Sequence, residues 1–455
     1  MMRVLAVVCL LFLPAAVHAE RGAGAPGSTD TYTLSEALEI ALRDNPGIRA
    51  SGADVAIADY GIDAARAEKM PKIDFFSNAV RYRYPAPVTP ISGSPLEGAG
   101  FPEFDTTIYD LGAYLTLPLY RGGRLDRAVT IAEIDRAIAQ DMFRMSRQDL
   151  VYNVTSVFYK IYQLEELLEA NRASVRQLEA HQRDVALFFE AGTVPRIELL
   201  KTETELAHAR QNVLAIENSL ESAFTLLKAL MGIEEMTRTI SVVRETAVDE
   251  AYPPLEKGVE RAFSQRPDYR AMLKRLRVAE EQIALARGRR LPFVSVSSEY
   301  AGRSGDELSF KENWNLALRL TMPLFDGGAI KADVGRRQKE LERTREEQQS
   351  LRLAIIREVK DAYLAIENAR KRIGVTEKAL ESAQENLRIE RLKFEAGGGT
   401  STDVIDARTT LLRAETDYYQ ALFDKRLAAA ALMRAMGEER FAKPADKDRR
   451  PSEES

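Results

Sequence analysis

Very few side chains in these 455 residues could carry out chemistry, and their scarcity narrows the possible functions. Of three histidines, His18 falls within the first nineteen residues, which read as a cleaved leader; His181 and His208 remain. Neither has metal-ligand spacing, and both lie on polar helical stretches where a solvated surface histidine is expected. There is no phosphate-cradling Gly-x-x-x-x-Gly-Lys loop and no Gly-x-Ser-x-Gly elbow, so neither an enzyme nor a cofactor is expected. Cys9, the single cysteine, also sits in the leader, which removes thiolate metal sites and cysteine nucleophiles from the mature chain. The acidic pair in Thr402-Asp403-Val404-Ile405-Asp406 is the most suggestive constellation. Its carboxylates are three apart and share one helix face. Taken alone, an Asp in a first helical turn is what the helix macrodipole favours, which would explain one of the two.

The elements that must carry these residues appear through an internal duplication. Pro118-Leu119-Tyr120-Arg121-Gly122-Gly123 recurs as Pro323-Leu324-Phe325-Asp326-Gly327-Gly328, and Phe189-Glu190-Ala191-Gly192 recurs as Phe394-Glu395-Ala396-Gly397, both at a shift of 205. Upstream, Leu34, Pro46, Ala50, Ile62, Arg66 and Pro71 fall on Leu255, Pro267, Ala271, Ile283, Arg287 and Pro292 at a shift of 221. The difference of 16 residues lies between Pro71 and Pro118, where a loop is expected.

The N-terminus reads as a secretory signal over residues 1–19: Arg3, an apolar run from Val4 to Phe12, then Val17-His18-Ala19 before a mature start near Glu20. Loss of Arg3 takes the formal net charge from -5 to -6, which argues against nucleic acid as a partner. No later stretch reaches the roughly 20 apolar residues of a membrane helix.

Between the aligned prolines the period changes to strict alternation. Val80, Tyr82 and Tyr84 alternate with Ala79, Arg81 and Arg83, and Tyr109 to Leu117 alternate apolar and polar. Val294, Val296 and Tyr300 oppose Ser295, Ser297 and Glu299, and Trp314, Leu316, Leu318, Leu320 and Met322 oppose Asn315, Ala317, Arg319 and Thr321. Four segments of about 9–11 residues fit tilted membrane strands, with one face towards lipid. Four strands cannot close, and open edges are not tolerated in lipid, so several chains must share one barrel. Two chains would fill the interior with side chains, whereas three begin to leave a lumen, which predicts a trimer.

After each second strand, proline ends the ladder and the glycine pair permits a bend into a helix without Pro or Gly. From Leu125 to Phe189 that is roughly 100 Å of helix. Its apolar positions average a 3.5-residue period (Leu150, Val154, Val157, Ile161, Leu164, Leu168, Val175, Leu178, Val185 and Phe189), with Asn171 and Gln182 as polar interruptions. The resulting organisation is a first repeat over 20–232, with a hairpin at about 72–119, a long helix at about 124–190 and a return helix at about 195–231. A linker follows at 233–254, then a second repeat over 255–437, with a hairpin at about 293–324, a long helix at about 329–395 and a return helix at about 402–436. Residues 438–455 are charged and Pro-containing and read as a disordered tail.

These residues resemble the TolC-like outer-membrane efflux proteins over nearly the whole mature chain. The most specific matches are the two Pro–Leu–aromatic–x–Gly-Gly exits from the sheet (Pro118, Gly122 and Gly123; Pro323, Gly327 and Gly328) and the two Phe-Glu-Ala-Gly tips. The resemblance implies a trimeric tunnel in the outer membrane of a Gram-negative bacterium: a 12-stranded β-barrel continuing into a 12-helix periplasmic α-barrel, with an equatorial belt from Leu34 to Asn45, Thr239 to Gln265 and the C-terminal region. It implies docking by the tips (Gly192, Thr193 and Val194; Gly397, Gly398, Gly399 and Thr400) to a periplasmic adaptor and an inner-membrane pump of the RND, ABC or MFS type. It also places Asp403 and Asp406 as carboxylates ringing the periplasmic entrance. Where such relatives carry a Tyr and an Arg that lock the closed state, this chain has Phe394 and Gly399; the acidic partner remains as Glu198, and Arg196 is the nearest substitute cation. The resulting expectation is a passive exit duct for efflux or type I secretion. Alternatives are a free-standing porin, which has no use for 100 Å helices, and a structural periplasmic coiled coil, which has no use for lipid-facing strands.

Overall fold

The computed structural model describes residues 30–88, 103–235, 237–243 and 252–438. The signal, the tip of the first hairpin around Gly93 and the tail beyond Glu438 lie outside the described residues. The elements run β1 (Asp30–Tyr32), α1 (Leu34–Asp44), α2 (Pro46–Ala67), β2 (Lys72–Pro87), β3 (Phe104–Arg121), α3 (Arg124–Glu190) and α4 (Arg196–Met231). The second half follows as β4 (Ile240–Val242), α5 (Leu255–Gln265), α6 (Pro267–Gly288), β5 (Phe293–Ser304), β6 (Lys311–Thr321), α7 (Ala329–Glu395) and α8 (Ser401–Met436). None of these helices is long and apolar enough to cross a membrane.

The helical parts of the halves match in length: α3 and α7 have 67 residues each, α4 and α8 have 36, and α2 and α6 have 22. Each long helix is flanked by two shorter ones meeting end to end. α4 stops at Gly232, where φ is 74° and an added Cβ would stand 2.6 Å from the Asp44 carbonyl oxygen. α8 stops at Gly437, where φ is 81° and a Cβ would stand 2.7 Å from the Arg266 nitrogen. Only glycine accommodates both the left-handed backbone and that approach.

The two largest cores lie beside these joints. One gathers Ala37 and Ala41 of α1, Val154, Phe158 and Ile161 of α3, and Leu227 and Met231 of α4. Its counterpart gathers Ala262 of α5, Ile355 and Val359 of α7, and Leu432 and Met436 of α8. β1 pairs in parallel with β4 alongside the first.

The four long strands form one antiparallel sheet in the order β2-β3-β5-β6. Tyr300 faces Trp314, Val296 faces Leu318 and Val294 faces Leu320, so the apolar sets of β5 and β6 share a face as their alternation predicts. The phase of β2 differs from the sequence reading. Ile73 pairs with Leu115, Phe75 with Ala113 and Ala79 with Tyr109, whereas Val80 pairs with Ile108 on the opposite face. The apolar face of β2 is therefore carried by Ile73 and Phe75, not by the alternation beginning at Val80. Tyr82 and Tyr84 follow in the stretch where the register shifts between Arg81 and Ala86, and such a shift exchanges faces.

The strands of the first hairpin are also longer, at 16 and 18 residues against 12 and 11, so part of the length difference between the repeats is strand rather than loop. Nor does Pro118 end the ladder. β3 continues to Arg121 past an irregularity between Pro118 and Tyr120.

Candidate functional site: the helical tips

Both ends of each long helix carry candidate residues. At the sheet end, Gly122 and Gly123, like Gly327 and Gly328, have positive φ and turn the chain from strand to helix. Gly122 additionally lies against the Gly288 carbonyl oxygen, leaving no space for a Cβ. The second exit adds a carboxylate: Asp326 accepts from the Gly328 nitrogen at 3.0 Å and the Ile330 nitrogen at 2.7 Å, where the first copy has Arg121. Pro323 follows the end of β6 at Thr321.

At the far end, α3 closes through Gly192, and the Thr193 backbone nitrogen and hydroxyl both donate to the Phe188 carbonyl, at 2.9 and 2.8 Å. Val194 then packs against a cluster of Val185, Phe394 and Val404. The second turn runs through Gly397, Gly398 and Gly399 to Thr400, the N-cap of α8. Thr400 and Asp403 form a capping box: the Asp403 carboxylate accepts from the Thr400 nitrogen at 2.9 Å and its hydroxyl at 2.7 Å. These bonds hold the Asp403 carboxyl below its ordinary pKa. Asp406 is exposed on the next turn.

Glu198 reaches across to the second tip, with Thr402 Oγ1 at 3.4 Å and Lys201 Nζ at 3.3 Å. Lys201 also donates to Thr402 at 3.1 Å. The cation beside Glu198 is thus Lys201, and Arg196 stands exposed at the start of α4.

Phe394 is 7% exposed, whereas its repeat equivalent Phe189 is 38% exposed. The Phe394 ring meets His181 edge-on at 4.9 Å and Phe188 at 5.6 Å. His181 therefore corrects the surface reading: it is buried, with Nε2 2.7 Å from Ser401 Oγ. Ser401 Oγ in turn lies 3.2 Å from Thr202 Oγ1, so one buried polar chain joins α3, α8 and α4. Burial, then nearby Arg408, lowers the His181 pKa, opposed by Asp184. His208 is exposed, as its polar stretch predicts.

The sequence reading missed this node because it placed Gln182 on the helical seam. His181 lies three after Leu178 and four before Val185, both buried, and that spacing was the available signal. Among the described residues no group of acidic, histidine or cysteine side chains is arranged to hold a metal.

Solved channels place this architecture in a class. The outer membrane channel CmeC of Campylobacter jejuni superposes with a TM-score of 0.77 at 17% identity, over 89% of this chain and 85% of that one. Among characterised proteins the chain is similar to the pyoverdine export outer membrane protein OpmQ of Pseudomonas putida, 22% identical over 89% of this chain and 85% of that protein. It is likewise 20% identical to the outer membrane protein TolC of Escherichia coli, over 89% of this chain and 82% of that protein. The model of the outer membrane efflux protein family matches residues 37–233 and 258–438, and the chain belongs to that family. It is an outer-membrane protein of a family of passive channels, not enzymes.

Proposed function

We propose that this chain is one protomer of a homotrimeric exit duct through which a pump-driven efflux or secretion system discharges across the outer membrane. The carrying observation is the sheet: one face presents Ile73, Phe75, Trp314, Leu316, Leu318 and Leu320 to the exterior, and β2 and β6 are its two outer edges. In lipid such edges must pair, and β6 of one copy against β2 of the next closes twelve strands around a lumen. The long helices then project about 100 Å from the barrel. Relatives named for export or protease secretion support discharge of a substrate supplied from within.

In this reading Gly192, Thr193, Val194 and Gly397 to Thr400 form the surface that a periplasmic adaptor engages, with the adaptor linking the duct to an inner-membrane pump. Asp403 and Asp406, three copies each, set a negative field at the entrance, as charged rings do in cation-selective channels. Glu198, Lys201 and Thr402 fasten the two tips, with Phe394 packed behind them.

The test replaces Asp403 and Asp406 by Asn, which removes charge while leaving Thr400 an acceptor. Purified wild type should migrate as a heat-sensitive trimer from outer membranes and favour cations in planar bilayers. The double variant should keep the trimer and lose most of that preference. A monomer without conductance would sink the duct; unchanged selectivity in the variant would move the entrance elsewhere.

A further inference from the structure

Beside the His181 node, α3, α7 and α8 enclose a cleft of about 630 Å³ whose charge is out of balance. Arg408 lines it from α8 and is only 8% exposed. Its Nη1 donates to the Ser174 carbonyl at 2.8 Å and its Nη2 to Gln177 Oε1 at 2.6 Å, while its Nε has no partner. No ion pair to Arg408 is formed among the described residues, and burial together with neighbouring Arg391 lowers its pKa to about 10. A buried cation solvated only by neutral dipoles is costly.

Three further arginines line the same cleft: Arg176 on α3, and Arg388 and Arg391 on α7. Each is bonded to a glutamate of its own helix, Arg176 to Glu169 at 2.9 Å, Arg388 to Glu385 at 2.7 Å and Arg391 to Glu395 at 3.0 Å. These pairs are solvent-facing and weakly held, so the guanidinium groups can turn towards a better acceptor. Asp184 and Glu395 are the carboxylates of the lining.

We propose that this cleft is a binding site for a small oxyanion of the sulfate or phosphate type, held by Arg408 from within and by Arg391 and Arg388 from the rim. The planar guanidinium fork matches tetrahedral oxyanions, and charge-assisted bonds in a partly desolvated cleft are stronger than those at the surface. Because Arg408 and Arg391 belong to the helices of the second repeat and the Ser174 and Gln177 wall to α3 of the first, a bound anion would also tie the two helix pairs together and stabilise the assembled tip. The site stands whether or not the duct docks to a pump.

The experiment is calorimetric titration of the full-length protein in detergent with sodium sulfate, at constant ionic strength against sodium chloride. Saturable sulfate binding at one site per chain is expected. Arg391→Gln, which alters a solvent-facing side chain, should weaken it about tenfold, the scale of one lost charge-assisted bond. Arg408→Gln should abolish it; should that variant fail to fold, the Arg388→Gln/Arg391→Gln double variant decides in its place. No saturable binding in wild type, equal binding of chloride, or wild-type affinity in the rim variants would overturn the site.

Discussion

The two end-to-end helix joints occupy equivalent places in the repeats and solve the same problem with different chemistry. At the first, Asn45 Nδ2 donates to the Leu230 carbonyl at 2.9 Å while its Oδ1 caps α2 through the Gly47 nitrogen at 2.8 Å. At the second, the equivalent residue is Arg266, 11% exposed, whose Nη1 reaches the equivalent Ala435 carbonyl at 3.1 Å. Arg266 also binds Asp268 and Glu358, each at 2.8 Å. Gln148 of α3 adds a bond of 2.7 Å to the Gly437 carbonyl. The need conserved between the copies is an orphan carbonyl at a helix end requiring a donor. A neutral amide suffices for one joint, whereas the other is built as an ion network that also anchors α7.

That contrast can be broken most directly by truncating both donors. Arg266→Ala leaves Asp268 and the Ala435 carbonyl without this donor, while half-exposed Glu358 keeps Arg434 at 3.9 Å, and should cost about 2–3 kcal/mol, the scale of lost hydrogen bonds to charged groups. Asn45→Ala loses a cap and one hydrogen bond, about 1–2 kcal/mol. Denaturant midpoints of the two variants should fall in that order; equal midpoints would mean that the joints carry the same load.

The tips repeat the lesson with aromatic residues. Phe394→Ala should cost about 3–4 kcal/mol, the range for a buried ring, and Phe189→Ala less than about 1 kcal/mol. Protease nicking at the glycine turns should accelerate in the first variant and hardly in the second. Similar nicking in both would show that the repeats are packed alike there.

The smallest effect is a pH dependence confined to one half. His181, whose repeat equivalent is Asn386, has its pKa lowered by burial and Arg408. The unfolded chain therefore binds the proton first, and the stability this ring supports is full above pH about 6.5 and is lost as the pH falls below it. Tip nicking should rise between pH of about 6.5 and 5 in the wild type and stay flat in His181→Gln. A flat wild-type profile would remove the ring from the balance.

The legible parts of this molecule were those set by local period. The alternation from Trp314 to Met322 gives β6 and its facing without further information, and the Pro- and Gly-free runs give α3 and α7. The β2 facing was misread because a register shift beyond Arg81 is a property of two paired strands, invisible along either one. His181 was misplaced because Leu178 and Val185 are one heptad apart, and that heptad can be stepped as four then three, through Gln182, or as three then four, through His181. Thr400 and Asp403 do carry a capping-box spacing, so that part of the site was written in the sequence but read as an entrance carboxylate, with dipole compensation as the plainer alternative. The helix joints, and Arg408 with its cleft, required tertiary structure, since their partners come from distant segments.

The identical lengths of the paired helices make the distance from sheet to tip a counted quantity. One residue inserted into α3 would advance everything beyond it by about 1.5 Å and turn it by about 100°. Thr193, Val194 and the His181 ring would then swing away from Ser401 and Phe394, although every residue type was unchanged. The hairpin loops and strands can drift in length, as the two copies show, but the helices can change only in whole superhelical steps taken by both halves together.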